Sequence, residues 1–169
     1  MNRVKWYLIS IAIIASTLLA TGCMSFEKTS IDLVTKPFTY IADFPGKTED
    51  EIYRNCKLWI ANTYNSAKSV ISYEDADLKQ IRGNGIGSAK LEGDPFIRKF
   101  SYSISIEIKG AKARLLLSNI QEERYFNGTT SVAGIPNLEY KIYYDAVKKY
   151  FDEIGINFQK NVFASSTSW

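Results

Sequence analysis

The clearest hydrophobic pattern of the chain lies in residues 97–109, where apolar and polar side chains alternate. The apolar positions are Phe100, Tyr102, Ile104, Ile106 and Ile108, and the polar positions between and after them are Ser101, Ser103, Ser105, Glu107 and Lys109. This period of two predicts a β-strand with one buried face, which is typical of an antiparallel sheet covered on a single side. Gly110 then indicates a tight reversal, and residues 112–123 predict the returning strand.

Other segments also predict strands. Residues 38–44 are apolar and aromatic, and they follow Pro37, which cannot donate to a β-ladder and therefore indicates an edge strand. Residues 69–75 are β-branched and aromatic and end in acidic turn residues, as strands often do. Further along, Asn127-Gly128 is a favoured dipeptide for a hairpin turn.

The run IRGNGIGSAK, residues 81–90, has two interpretations. As a strand, it places Ile81, Gly83, Gly85, Gly87 and Ala89 on one face. A phosphate-binding loop would instead need the spacing G-x-G-x-x-G at the start of a helix. The spacing here is G-x-G-x-G, and no helix of sufficient length follows. We therefore expect a strand whose missing side chains allow another backbone to approach closely, such as that of a helix lying across the sheet.

Two segments predict amphipathic helices. The first begins at Thr48, a predicted N-cap, and Glu51 stands three residues later at the capping-box spacing. Its predicted buried stripe consists of Ile52, Cys56, Trp59, Ile60 and Thr63. The second covers residues 137–154, with apolar residues on one broad side, and Gly155 is predicted to end it.

This order of elements predicts an α+β domain: an antiparallel sheet of about five or six strands with two helices packed on one face. The glycine face of residues 81–90 should lie towards the helices. Ser101, Ser103, Ser105 and Glu107 should then lie on the open face. Whether Arg82 and Asn84 share that face depends on strand register, which the alternation does not decide.

The first 23 residues have the pattern of an export signal. Arg3 and Lys5 precede an apolar stretch of about 15 residues, shorter than the roughly 20 that a membrane-spanning helix needs. Small residues then lead to Gly22-Cys23, which resembles the lipobox of bacterial lipoproteins. The resemblance implies cleavage before Cys23 and a diacylglycerol on its thiol. Ordinary secretion with a coincidental cysteine, or a genuine transmembrane helix, would be the alternatives.

The predicted organisation is thus a signal peptide at residues 1–22, then a lipidated Cys23 and tether at residues 23–32. A single domain at residues 33–160 and a flexible tail at residues 161–169 follow. Anchoring through the N-terminal lipid would place the protein on the periplasmic face of a bacterial membrane. Met24 is not the aspartate associated with inner-membrane retention, so we expect the outer membrane.

Charge and composition argue against several classes of function. The chain has 21 basic and 18 acidic residues, and without residues 1–22, which contain Arg3 and Lys5 and no acids, 19 and 18 remain. A nucleic-acid partner is not expected, because such proteins show a marked basic excess. The chain has no histidine, so we predict no catalytic role for Cys56. We also expect no metal site and no cofactor.

Several of these segments together are similar to one known family. FPGKTEDEIY (residues 44–53), Trp59, VISYED (residues 70–75), GNGIG (residues 83–87) and the strand pair at residues 100–120 resemble a bacterial family of unknown function. The resemblance implies a fold like that of the TATA-box-binding protein (TBP-like), and it implies export as a lipoprotein. It supplies no catalytic residues, and the fold alone does not imply DNA binding.

Two functions of different classes remain open at this point. The first is a membrane-anchored envelope lipoprotein that acts as a non-enzymatic binding module for another envelope protein. Its candidate contact residues are Ser101, Ser103, Ser105, Glu107, Tyr125 and Phe126, although the serines could equally form a solvated face without a partner. The second is a carboxylate-dependent envelope hydrolase acting on glycan or lipid, which would use the acidic cluster of Glu74, Asp75 and Asp77.

Overall fold

A computed structural model describes residues 27–30, 35–64, 67–91, 97–126, 129–132 and 140–164, with the backbone alone at residues 67, 69, 123–126, 129–132 and 163–164. Its strands are β1 (Phe38–Asp43), β2 (Ile71–Asp75), β3 (Gln80–Lys90), β4 (Ile97–Lys109), β5 (Lys112–Phe126) and β6 (Thr129–Val132). Its helices are α1 (Glu49–Thr63), α2 (Ala67–Val70) and α3 (Lys141–Ala164).

All six strands form one antiparallel sheet. Five of them follow the order β1-β5-β4-β3-β2, and β6 also pairs with β5. β5 therefore pairs with three strands: β4 along most of its length, β1 through residues 112–117 and β6 through residues 123–126. The predicted α+β architecture is confirmed, and β1 lies at one end of the five-strand order, as Pro37 indicated.

The core lies between one face of the sheet and the helices α1 and α3. The five apolar residues predicted on β4 are all buried there. The ring of Tyr102 lies against that of Phe151 on α3, with centroids 4.9 Å apart. Trp59 on α1 packs edge-on against Phe158, and its Nε1 donates a hydrogen bond to Asn157 Oδ1 at 2.7 Å. The two long helices are thereby joined to each other as well as to the sheet.

The N-terminus of α1 confirms the predicted capping box. The backbone N–H of Glu51 donates to Thr48 Oγ1 at 3.3 Å, and the backbone N–H of Thr48 donates to Glu51 Oε2 at 2.9 Å. These bonds satisfy donors that the first turn of a helix leaves unpaired.

The glycines of β3 lie on the buried face, as predicted, but they mostly make room for side chains rather than backbone. A Cβ on Gly85 would lie 2.5 Å from the Tyr102 ring, and one on Gly87 would lie 2.7 Å from the Phe100 ring. Only Gly83 faces backbone, because a Cβ there would lie 2.3 Å from the carbonyl oxygen of Val70, the last residue of α2.

Two sequence-based boundaries differ from the structure. The predicted helix end at Gly155 is wrong, because α3 continues to Ala164 and buries Phe158 and Val162. Its last turns include residues 161–164, which the sequence had assigned to the tail. The predicted strand at residues 69–75 begins only at Ile71, because residues 67–70 form α2.

Candidate functional site

The face of the sheet opposite the helices carries the polar residues of β3 and β4 side by side. Asn84 pairs with Ser103 and Arg82 pairs with Ser105, so both β3 residues share the open face with the serines. This register settles what the alternation left undecided.

A β-bulge interrupts the pairing of β4 with β5 in the middle of this face. Ser103 pairs with Ser118 but Ser101 pairs with Gln121, so β5 contains one residue more than β4 over this interval. Asn119 adopts a φ of 50°, a left-handed conformation that asparagine tolerates better than most residues. The bulge re-aims the side chains of β5 beyond this point.

The bulge changes which residues of β5 are buried. Leu115 and Leu117 are buried before the bulge, and Ile120 and Glu122 are buried after it. The Glu122 carboxylate consequently lies on the helix side, where its Oε1 is 3.5 Å from Nη1 of Arg98. This ion pair compensates the charge that the bulge brings to the covered face.

A shallow groove of roughly 840 Å³ is centred on the bulge. Its polar lining comes from three adjacent strands and from Thr35 and Lys36. The polar strand residues are Asn84, Ser101, Ser103, Ser118, Asn119 and Gln121. Lys36 and Pro37, which precede β1, close one side. The groove therefore presents mainly uncharged hydroxyl and amide groups.

Few of the hydroxyl and amide groups in the groove form hydrogen bonds within the described fold. Asn119 Nδ2 donates to Ser103 Oγ at 3.2 Å. Within the part of the chain that the structure describes, the side chains of Asn84, Ser101, Ser118 and Gln121 have no hydrogen-bond partner. They can therefore bind donors and acceptors of a ligand.

The predicted contact residues are only partly brought together. Ser101 and Ser103 line the groove, whereas Ser105 lies farther along β4 and Glu107 forms an ion pair with Arg114. The backbones of Tyr125 and Phe126 pair with Thr130 and Thr129 of β6, as the predicted hairpin requires. Their side chains, and the Asn127-Gly128 turn itself, lie outside the described residues.

Sequence reasoning missed the contribution of β5. Ser118, Asn119 and Gln121 line the groove because of the bulge, and the signal for it is a break in the alternation. Apolar residues at 115 and 117 are followed by one at 120 instead of 119, and asparagine stands at the break. Such a one-residue slip is the pattern that a bulge imposes on a half-buried strand.

Two residues of the acidic cluster proposed for hydrolysis form hydrogen bonds or an ion pair within the fold. Asp75 Oδ1 accepts the backbone N–H groups of Asp77 and Leu78 at 2.9 and 2.8 Å, and the bond from Leu78 is the main cause that lowers the Asp75 pKa. Glu74 lies 2.8 Å from Lys57 of α1. Neighbouring strand residues point to opposite faces, so Glu74 and Asp75 do not face each other across a cleft, and the geometry does not favour the hydrolase hypothesis.

Cys56 is fully buried in the core. Burial raises the pKa of its thiol to about 12, so at neutral pH the thiol is protonated and unreactive. Among the described residues, no group of three or more cysteine, aspartate or glutamate side chains is placed to hold a metal ion.

Cys23 and the preceding leader lie outside the described residues. Among the helices that the structure describes, none combines the length and apolar character needed to cross a bilayer.

The family assignment rests on residues 38–123, which contain β1 to β4, α1 and the groove residues of β3, β4 and β5. These residues match the model of a family described as a domain of unknown function (DUF4468) with TBP-like fold. The chain belongs to the DUF4468 family. The match ends before α3, so the helix that completes the core lies outside the segment that defines the family.

Two crystal structures agree with this assignment at the level of the fold. A TBP-like protein from Parabacteroides distasonis ATCC 8503 has 12% sequence identity and a TM-score of 0.55, covering 74% of this chain and 93% of its own. A DUF4468 family protein from Bacteroides ovatus ATCC 8483 has 16% identity and a TM-score of 0.51, covering 79% and 91%. No curated protein shows significant similarity to the chain.

Proposed function

We propose that this DUF4468 protein is a membrane-anchored envelope lipoprotein whose open sheet face binds a segment of another envelope protein in the bulge-centred groove. The observation that carries the proposal is the cluster of uncharged hydroxyl and amide groups on three adjacent strands, most of which the described fold leaves unused. Backbone N–H and C=O groups of a polypeptide are the complementary partners for such side chains.

The position of the groove on the sheet supports a polypeptide ligand. Described pairing of β5 with β1 ends at Leu117 and pairing with β6 starts at Glu123. The groove therefore lies beside the stretch of β5 between these two partners. An extended segment placed here could reach both the β5 backbone and the groove side chains, as peptides do when they bind along sheet edges.

Site-specific photocrosslinking in cells tests the groove. Photoreactive residues at Ser103 and Gln121 should capture the same polypeptide, and one at Glu153, on the exposed side of α3, should not. The added substitution Asn119→Gly should abolish the capture, because glycine keeps the positive φ and removes the amide. Capture of no specific protein from either groove position, or equal capture from Glu153, would contradict the proposal.

Anchoring is tested separately by mass spectrometry of the mature protein. The expected product begins at Cys23 and carries the mass of attached acyl chains, which hold a protein on a bilayer when two or more are present. Cys23→Ala should abolish acylation and release the protein from membranes. A product that still begins at Met1, or that lacks acyl mass, would rule out the anchor.

A further inference from the structure

The N-terminal tether joins the domain at one fixed place. Lys28 forms a β-bridge with Tyr140, and the backbone N–H of Lys141 donates to the carbonyl oxygen of Glu27 at 2.8 Å. Residues 27 and 28 are thereby held at the first turn of α3. Whatever lies upstream must leave the domain from this point.

Only four peptide steps separate Glu27 from Cys23. Each residue of a fully extended chain spans at most about 3.6 Å, so the two Cα atoms can be no more than about 14 Å apart. With Cys23 acylated, as proposed above, the first turn of α3 must lie close to the headgroups. The ten residue steps from Lys99 to Lys109 extend β4 by about 33 Å, so the two ends of the sheet are not equally near the bilayer.

The sheet end beside this entry point is the one that contains Lys99. The Arg98 guanidinium lies 5.9 Å from the ring centroid of Tyr143 in the first turn of α3. Ile97, which is 65% exposed, pairs with Lys90, and the exposed Lys99 pairs with Ser88. All four of these paired residues lie on the open face of the sheet.

This end therefore combines an exposed apolar side chain with exposed lysines. We name Lys28, Lys90, Ile97 and Lys99 the tether-end surface. Lysine side chains can extend their ammonium groups to lipid phosphates while an adjacent apolar side chain contacts the acyl boundary. Each basic residue near an anionic membrane surface contributes about 1 kcal/mol of attraction.

We propose that the tether-end surface binds the anionic phospholipid headgroups of the membrane to which Cys23 is attached, and that it holds the domain in one orientation. This inference rests on the proposed anchor. Basic residues alone do not select this end, since Lys109 and Lys112 lie at the other end of the sheet. The short tether is the reason that this end of the sheet, and not the other, lies near the membrane.

Fluorescence quenching in vesicles tests the orientation. The full-length, acylated protein is reconstituted into phosphatidylethanolamine–phosphatidylglycerol vesicles with a nitroxide on the lipid headgroups. A fluorophore is attached either at Ser88→Cys, beside the tether-end surface, or at Ala111→Cys, in the β4–β5 turn. Labelling is selective because Cys56 is buried and the thiol of Cys23 is acylated.

Quenching should be several-fold stronger at position 88 than at position 111. Equal quenching, or stronger quenching at position 111, would overturn the orientation. Flotation with the vesicles is measured first on every sample. Protein that does not float contradicts the anchor itself, whereas protein that floats without preferential quenching at position 88 contradicts only the present inference.

Charge substitutions test the headgroup contact. With the label at position 88, the double substitution Lys90→Gln and Lys99→Gln should reduce quenching at least two-fold. The matched substitutions Lys109→Gln and Lys112→Gln should leave it unchanged. If the first pair has no effect, or if vesicles of phosphatidylcholine alone give the same quenching, anionic headgroups are not the partner.

Discussion

Gly155 shows how a single residue can be misassigned when only its type is known. Glycine commonly ends helices, but here it lies inside α3, where the helix crosses β1. The ring of Tyr40 occupies the space that a side chain would need, and a Cβ on Gly155 would lie 2.2 Å from a ring carbon. The Tyr40 hydroxyl also donates to Asp152 on the same helix at 2.9 Å, so the ring cannot easily move away.

Gly155→Ala should therefore lower the free energy of unfolding. In an open helix this change would stabilise by about 1 kcal/mol, whereas overpacking against the ring costs about 1–3 kcal/mol. Urea denaturation followed by circular dichroism measures the balance. In a Tyr40→Leu background the same substitution should be neutral or stabilising, and a stabilised Gly155→Ala single variant would contradict the described contact.

At the scale of single elements, α1 is the clearest case in which local sequence determines structure. Its start and its cap follow from spacings within one helix, so the sequence predicts them. Of the predicted stripe, Ile52, Cys56, Trp59 and Ile60 are buried, whereas Thr63 is only half-buried. Tyr53 and Asn55 are also buried, which the stripe did not include. Thr48→Ala should cost about 1 kcal/mol of unfolding free energy, because it removes the cap acceptor. Thr48→Ser, which retains the hydroxyl, is the matched control, and equal stability of the two variants in thermal denaturation would refute the role of the cap.

The bulge of β5 gives a second prediction at this scale. Because Asn119 has a positive φ, Asn119→Gly should leave the unfolding free energy nearly unchanged. Asn119→Val should lower it by about 1–2 kcal/mol, because a β-branched residue is strained in the left-handed region. The midpoints of urea denaturation compare the two variants, and a Val variant as stable as the Gly variant would argue against the bulge.

The sequence predicts features that depend on local interactions, and it does not predict features that depend on contacts between residues distant in the chain. The alternation of β4 and the cap of α1 are local, and they sufficed for the fold class. The packing of Gly155 against Tyr40 and the pairing of Asn84 with Ser103 join residues distant in the chain, and no local pattern encodes them. The sequence therefore predicts only those groove residues that lie on β4, Ser101 and Ser103, as contact residues.

At the scale of the whole molecule, a hydrogen-bonded pair of tyrosines, one buried and one partly buried, makes the fold sensitive to alkaline pH. The hydroxyls of Tyr64, after α1, and Tyr102, on β4, lie 3.0 Å apart. Burial is the main cause that raises the pKa of Tyr64 to about 12, and it raises the pKa of Tyr102 as well. A raised pKa means that the native state favours the protonated hydroxyl, so this stability is complete below about pH 10 and is lost as the pH rises through 12.

The free energy of unfolding should consequently fall between pH 10 and pH 12, and Tyr64→Phe should make the fall shallower. The matched comparison is with Tyr144→Phe, which removes a half-buried tyrosine hydroxyl on α3 that is not part of this pair. Urea denaturation at several pH values measures both slopes. Identical slopes for the two variants would show that ionisation of the Tyr64–Tyr102 pair does not change the free energy of unfolding.

The three-fold pairing of β5 has a consequence for how the molecule opens. Successive amides of a strand point alternately to its two neighbours, and those directed at β4 are protected by a 13-residue strand. Those on the other side depend on the six residues of β1 or the four of β6. Amide hydrogen exchange along β5 should therefore alternate, with slow deuterium uptake on the β4 side and local fraying on the other. Exchange rates along this one strand would then measure both global unfolding and the independent detachment of β1 and β6.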